Sequence, residues 1–150
     1  MKTDEYKKII MFAVDNEIEA YEFYKAVADK TKDDGLKKIF AELAQEEAGH
    51  RKLLEGLASG KGQMYFDESK DYKVAETINK PKLSLNMKPA DAIALAVKNE
   101  QEAMEMYKKM ADCSTDAEQK KMFQSLANME QGHKVKLEDT FTNMAFPEAW

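Results

Sequence analysis

A chain of 150 residues has room for one ordinary domain with a real core. Charged residues make up 34% of it and the net charge is −5, which offers no basic face for nucleic acid, and no apolar run approaches the roughly 18 residues of a membrane span. A single cysteine, Cys113, excludes an internal disulfide and a four-cysteine metal knuckle, and Met1-Lys2-Thr3-Asp4-Glu5 lacks the apolar stretch of a secretory signal, so a soluble cytoplasmic protein is expected.

Three prolines and six glycines, beside many Ala, Glu, Lys and Leu, point to helix. Ile10, Ala13, Val14, Ala20, Tyr21, Tyr24 and Ala28 trace one face with helical period, predicting a helix near 4–30. Asp33-Asp34-Gly35 interrupts it, with an aspartate suited to an N-cap. Leu36, Phe40, Leu43, Leu54 and Leu57 then trace a second helix near 34–58. Residues 59–88 carry Ser59, Gly60, Gly62 and Pro81 without a sustained period and read as a long connection, with a short helix expected around Val74–Ile78. Ile93, Val97, Ala103, Tyr107 and Met110 predict a third helix near 89–112. Thr115 and Glu118 fit a capping box that opens a fourth near 116–142, marked by Phe123, Leu126, Leu137 and Phe141. The tail from Asn143 is expected to pack on the bundle or on a neighbouring subunit.

The chain also repeats itself. Residues 9–57 align with 92–140 at an offset of 83 without a gap, with 23 identities in 49 positions. That period is too long for a solenoid and describes two halves of one pseudo-symmetric domain. Two helical hairpins joined by a long crossover make an all-α four-helix bundle. A long crossover invites helix exchange between protomers, so a homodimer is the expected assembly.

Chemistry enters where the apolar pattern is violated. The second stripe runs Leu36, Phe40, Leu43 and then meets Glu47 and His50 before resuming at Leu54. The fourth runs Phe123, Leu126, then Glu130 and His133, then Leu137. Glu17 interrupts the first stripe and Glu100 the third. Each helix thus aims a carboxylate inward about half-way along, and four unneutralised buried carboxylates would be costly. Two divalent cations would balance them, and the two imidazoles add neutral donors. Glu-x-x-His suits this role because residues three apart share a helix face, about 4.5 Å apart along the axis. In this arrangement Glu47 and Glu130 bridge the cations, while Glu17 and Glu100 each hold one from the side. The competing reading, a duplicated surface pattern, conflicts with the apolar residues on both sides.

Glu17-x-x-Ala20-x-x-x-Tyr24 with Glu47-x-x-His50, and Glu100-x-x-Ala103-x-x-x-Tyr107 with Glu130-x-x-His133, resemble the ferritin-like di-iron carboxylate superfamily and, within it, the rubrerythrin family. The resemblance covers nearly all of the chain outside the crossover and tail. It implies a ferritin-like bundle with a non-haem centre of two iron ions that reacts with hydrogen peroxide or dioxygen. Manganese and zinc are the expected substitutes, zinc generally binding nitrogen and oxygen donors more tightly than ferrous iron. One cysteine cannot build the rubredoxin domain of rubrerythrins proper, so electrons are expected from a separate rubredoxin-like protein or reductase. The additional glutamate those proteins carry one turn after the third-helix ligand is Ala103 here, which makes the six-residue set more like that of bacterioferritin. The alternatives are ferrous oxidation serving iron storage or delivery, and a metal-binding module without turnover.

Other residues carry weaker signals. Tyr24 and Tyr107 lie two turns beyond Glu17 and Glu100 on the same face. Either their hydroxyls donate to ligand carboxylates or they are aromatic core residues with other partners, and their symmetric placement favours the first. Glu19, Glu102, Glu22 and Glu105 are expected on a solvated face, and Glu46 is set aside because its repeat partner is Met129. Met104, Met106, Met110, Met122 and Met129 read as adaptable core filler. Gly49 and Gly132, beside the histidines, are expected where a neighbouring helix or ligand approaches closely.

Overall fold

The computed structural model describes residues 3–59, 65–67, 83 and 86–142. Four helices follow one another: α1 (Thr3–Lys30), α2 (Asp34–Ala58), α3 (Pro89–Cys113) and α4 (Ala117–Thr142). The short helix expected around Val74–Ile78 and the tail from Asn143 lie outside the described residues.

Local chemistry sets the helix ends. The Asp33 side chain accepts a hydrogen bond from the Gly35 amide and caps α2, with Asp34 in the first turn where the helix dipole favours negative charge. Pro89 opens α3, its missing N–H costing nothing in a first turn, and Asp91 follows. At α4 the capping-box expectation is corrected. The Asp116 carboxylate, rather than the Thr115 hydroxyl, accepts from the Gln119 amide at 2.9 Å, and Thr115 faces solvent. The aspartate one residue later in the turn makes the capping bond.

The hairpins α1–α2 and α3–α4 pack side by side, α1 meeting α3 and α2 meeting α4 across the centre. Their core is two apolar clusters separated by a polar layer. One holds Ile10, Val14, Leu54, Tyr107, Met110, Phe123 and Leu126; the other holds Tyr24, Val27, Phe40, Leu43, Ile93, Ala96 and Leu137. Displacement by 83 residues exchanges them: Ile10 for Ile93, Phe40 for Phe123, Leu54 for Leu137. The repeat is therefore a pseudo-twofold axis through the middle of the bundle. A fully buried Leu or Phe contributes roughly 1.5–3 kcal/mol, and apolar packing on both sides of the polar layer holds it in place.

Part of the crossover is pinned to the α3–α4 turn. Phe66 pairs with Ser114 in a single antiparallel bridge, the Asp67 amide donates to the Cys113 carbonyl at 2.7 Å, and Phe66 stacks on Tyr6 at 4.0 Å. Gln119 clasps the same strap, donating to the Tyr65 carbonyl and accepting from its amide. Met104, Met106 and Met110 fill core space as expected, but Met129 is 41% exposed. It falls about 100° around α4 from Glu130, which rotates it out of the core.

Candidate metal centre

All six residues marked by the broken stripes meet in the polar layer. Glu17 on α1, Glu47 and His50 on α2, Glu100 on α3, and Glu130 and His133 on α4 are each no more than 3% exposed. The pairing crosses between hairpins. His50 Nδ1 faces Glu130 Oε1 at 2.8 Å, and His133 Nδ1 faces Glu47 Oε1 at 2.7 Å. The imidazole rings lie nearly parallel, 5.6 Å apart.

Ligand atoms of these residues form two groups, each within 4.8 Å: Glu17, Glu47, His50 and Glu130, and Glu47, Glu100, Glu130 and His133. Glu47 and Glu130 belong to both. A three-oxygen, one-nitrogen set repeated about a pseudo-twofold axis suits a pair of divalent cations. Two further atoms fit the same chemistry. Glu17 Oε2 and Glu100 Oε2 are buried without a hydrogen-bond partner, one at each end of the cluster, 3.7 Å from the nearest histidine Nδ1. A bare buried carboxylate oxygen is costly unless a cation or donor meets it.

Tyr24 and Tyr107 cross over as well. The Tyr24 hydroxyl donates to Glu100 Oε1 at 2.5 Å, and the Tyr107 hydroxyl donates to Glu17 Oε1 at 2.5 Å. Each tyrosine thus serves the glutamate of the other hairpin. Burial, together with nearby carboxylates, pushes both phenols well above their usual range, so they remain donors at physiological pH.

The carboxyl and imidazole groups share protons across the cluster. Burial and the nearby Glu130 charge push the Glu17 carboxyl up to about 7, against the opposing pull of His50 and Tyr107. Burial would pull His50 down, yet its hydrogen bond to Glu130 and the nearby Glu17 and Glu130 carboxylates outweigh this and raise it to about 9. His133 is likewise raised against the pull of burial, by Glu130 and Glu46. Burial favours a protonated Glu130, but the two histidines outweigh it and hold its carboxyl below the usual range. Protons thus do part of the neutralising, and a cation entering the cluster must displace them.

Beside Glu17 and Glu100 a cavity of about 20 Å³ is bordered by Ala20, Ala103, Asn16 and Asn99. That is room for about one water-sized molecule. Leu83 also lines it, and its amide donates to Glu19 Oε1 at 2.7 Å.

Three sequence expectations are corrected here. Glu46 belongs at the edge of the centre, since its carboxylate meets His133 Nε2. The repeat concealed it by placing methionine opposite, although adjacency to Glu47 on the α4-facing edge of α2 was a usable signal. Glu19 is half-buried rather than solvated, because the crossover folds back onto it. Gly49 and Gly132 are exposed, and a methyl group at either would meet nothing within 4 Å, so neither marks a close approach. They lie on the outer surface of their helices, about 100° from the inward histidines.

The model of the rubrerythrin family matches residues 8–141, nearly the whole chain and all four helices. The chain belongs to the rubrerythrin family. Among solved structures, a hypothetical protein from Pyrococcus furiosus shares 28% identity at a TM-score of 0.70, covering 93% of this chain and 92% of its own. A Thermotoga maritima protein assigned to the ferritin-like diiron-carboxylate proteins is 19% identical at a TM-score of 0.69, with 97% of each chain covered. The dodecameric thioferritin of Bacteroides fragilis, a bacterioferritin-related protein, is 20% identical at 0.70, covering 97% of this chain and 89% of that one. No curated protein sequence matches significantly. The fold is thus the ferritin-like bundle, and this rubrerythrin-family chain carries a buried Glu/His cluster that could bind metal. Among the described residues no helix is long and apolar enough to cross a membrane.

Proposed function

We propose that this rubrerythrin-family protein is a non-haem di-iron oxidoreductase that reduces hydrogen peroxide, or dioxygen, with electrons from a separate donor. The observation that carries the reading is the pair of four-residue ligand groups sharing Glu47 and Glu130. Glu17, Glu47, Glu130 and His50 would hold one ion, and Glu100, Glu47, Glu130 and His133 the other. Two ferrous ions held by these residues would supply the two electrons that, with two protons, reduce one peroxide to two waters.

The chain's own residues set the conditions. Four carboxylates balance the charge of two divalent ions, and the flanking apolar clusters keep bulk water out. Tyr107 and Tyr24 fix one oxygen of Glu17 and one of Glu100, leaving the second oxygen of each aimed into the centre. The cavity beside Ala20 and Ala103, with room for about one water-sized molecule, admits only the smallest of substrates. A rubredoxin-like protein or reductase would return the electrons.

The test is anaerobic loading with two ferrous equivalents followed by peroxide, with ferric absorption as readout. Oxidation far faster than that of free ferrous ion supports the reading; oxidation at the free-ion rate rejects it. Ferrous oxidation serving iron storage is the second reading, favoured by the same bundle occurring in a dodecameric thioferritin. It requires a closed shell, so a monomer or dimer by solution mass rejects it.

A further inference from the structure

The 83-residue repeat holds through the six central residues and then breaks beside one of them. His133 is held from both sides: Nδ1 faces Glu47 Oε1 at 2.7 Å, and Nε2 meets the Glu46 carboxylate. His50 is held from one side only. Its Nδ1 faces Glu130 Oε1 at 2.8 Å, while its Nε2 is buried without a hydrogen-bond partner. The position related to His50 as Glu46 is to His133 is Met129, which offers no comparable acceptor.

This difference bears on what each imidazole can do. Glu47, Glu100 and Glu130 all face His133 through Nδ1, at 2.7, 3.7 and 3.7 Å, so Nδ1 is the nitrogen turned toward the centre. An imidazole that gives Nδ1 to a cation keeps its proton on Nε2. At His133 that N–H finds a carboxylate, which fixes the tautomer, holds the ring plane and strengthens Nδ1 as a donor. At His50 the same N–H is buried and unpaired, and such a group opposes the state that creates it. Glu46 lies beyond Nε2, on the far side of the ring from the shared carboxylates, so it acts through His133.

We infer that the two halves of the centre are unequal, with Glu46 the positioning residue that makes the Glu100/His133 half take its cation first. The inference rests on the proposal that the cluster holds two cations, and it concerns their order. Loss of a partner behind a metal-binding histidine typically costs about 10–100-fold in metal affinity, which sets the expected gap between the halves.

The chain contains only two histidines, so labelling histidine with nitrogen-15 gives a signal from each half and nothing else. The full chain, stripped of metal, is titrated with zinc up to two equivalents while both rings are followed by NMR, with a His50→Gln variant for assignment. In the wild type the His133 signals convert first and those of His50 follow. In Glu46→Met, which reproduces the other half, both rings convert together. In Glu46→Met/Met129→Glu the order reverses. Glu46→Gln, which keeps an acceptor without the charge, retains the wild-type order. Glu46 and Met129 are 38% and 41% exposed, so these variants are expected to fold, and their amide spectra check this. Simultaneous conversion in the wild type, or an order unmoved by Glu46→Met, overturns the inference while the two-cation reading stands. If neither ring responds to two equivalents of zinc, both fall together.

Discussion

Raising the pH of the metal-stripped protein should destabilise it, through two buried groups that hold protons longer when folded than when unfolded. Glu17 moves from an ordinary 4.5 to about 7, and His50 from 6.5 to about 9. For each, stability is fully present below the unfolded value and is lost as pH rises through the folded one. Glu17 therefore acts between about 4.5 and 7, and His50 between about 6.5 and 9. His133 is raised too and adds in the same direction, whereas the lowered Glu130 carboxyl acts only below the ordinary carboxylate range. Each tenfold difference in proton affinity is worth about 1.4 kcal/mol, so either group alone withdraws about 3 kcal/mol across its window. They sit 3.7 Å apart and titrate as a pair, which brings the joint loss to about 3–6 kcal/mol. For a domain of this size that is roughly 10–20 °C in Tm. Thermal melts by far-UV circular dichroism at stepped pH, in chelator and then in excess zinc, measure it directly. The Tm should fall with pH in chelator and recover with zinc, because cation binding improves as the protons leave. A melting temperature that stays level or climbs with pH in chelator refutes this account of how the cluster is neutralised.

Other substitutions test separate parts of the structure. Tyr107→Phe removes the donor to Glu17 and should cost about 1–3 kcal/mol in urea unfolding, with Tyr24→Phe costing a similar amount through Glu100. A loss below about 0.5 kcal/mol in both would mean that the crossed bonds contribute little. Glu17→Gln replaces a strained carboxylate by a neutral isostere. Mildly alkaline melts should show the metal-stripped variant more stable than wild type by about 1–3 kcal/mol, with a shallower pH dependence, while equilibrium dialysis shows weakened metal uptake. Gly49→Ala and Gly132→Ala each place a methyl group in open space on a helix and should add about 0.5–1 kcal/mol without altering metal content; lower melting temperatures would show that the glycines have another role.

The bundle was legible because two independent patterns agreed. Helical apolar stripes marked four elements, and the repeat of 9–57 in 92–140 paired them into hairpins. The polar layer was legible for a related reason. Glu47 and His50 stand where Leu43 and Leu54 demand apolar residues, and nothing on a solvated face would have interrupted the stripe at the same level in all four helices. Tertiary geometry was harder to read. That each tyrosine serves the opposite hairpin depends on how the hairpins cross, which no spacing within one helix encodes. Glu19 reads as surface until the crossover returns its Leu83 amide to it. Glu46 shows the cost of trusting symmetry: the repeat drew attention to matched residues, while a difference between the halves lay in an unmatched one. At the start of α4 the capping-box reading of Thr115 passed over Asp116, although Asp116 is the repeat partner of the Asp33 cap.

The most direct test of the central claim is the metal content of protein loaded anaerobically with ferrous iron and freed of excess by gel filtration, read by elemental mass spectrometry. Two irons per chain are expected, falling sharply when a shared carboxylate is removed in Glu47→Ala or Glu130→Ala. Wild-type protein that retains no iron, or retains as much after either shared carboxylate is lost, would contradict the account.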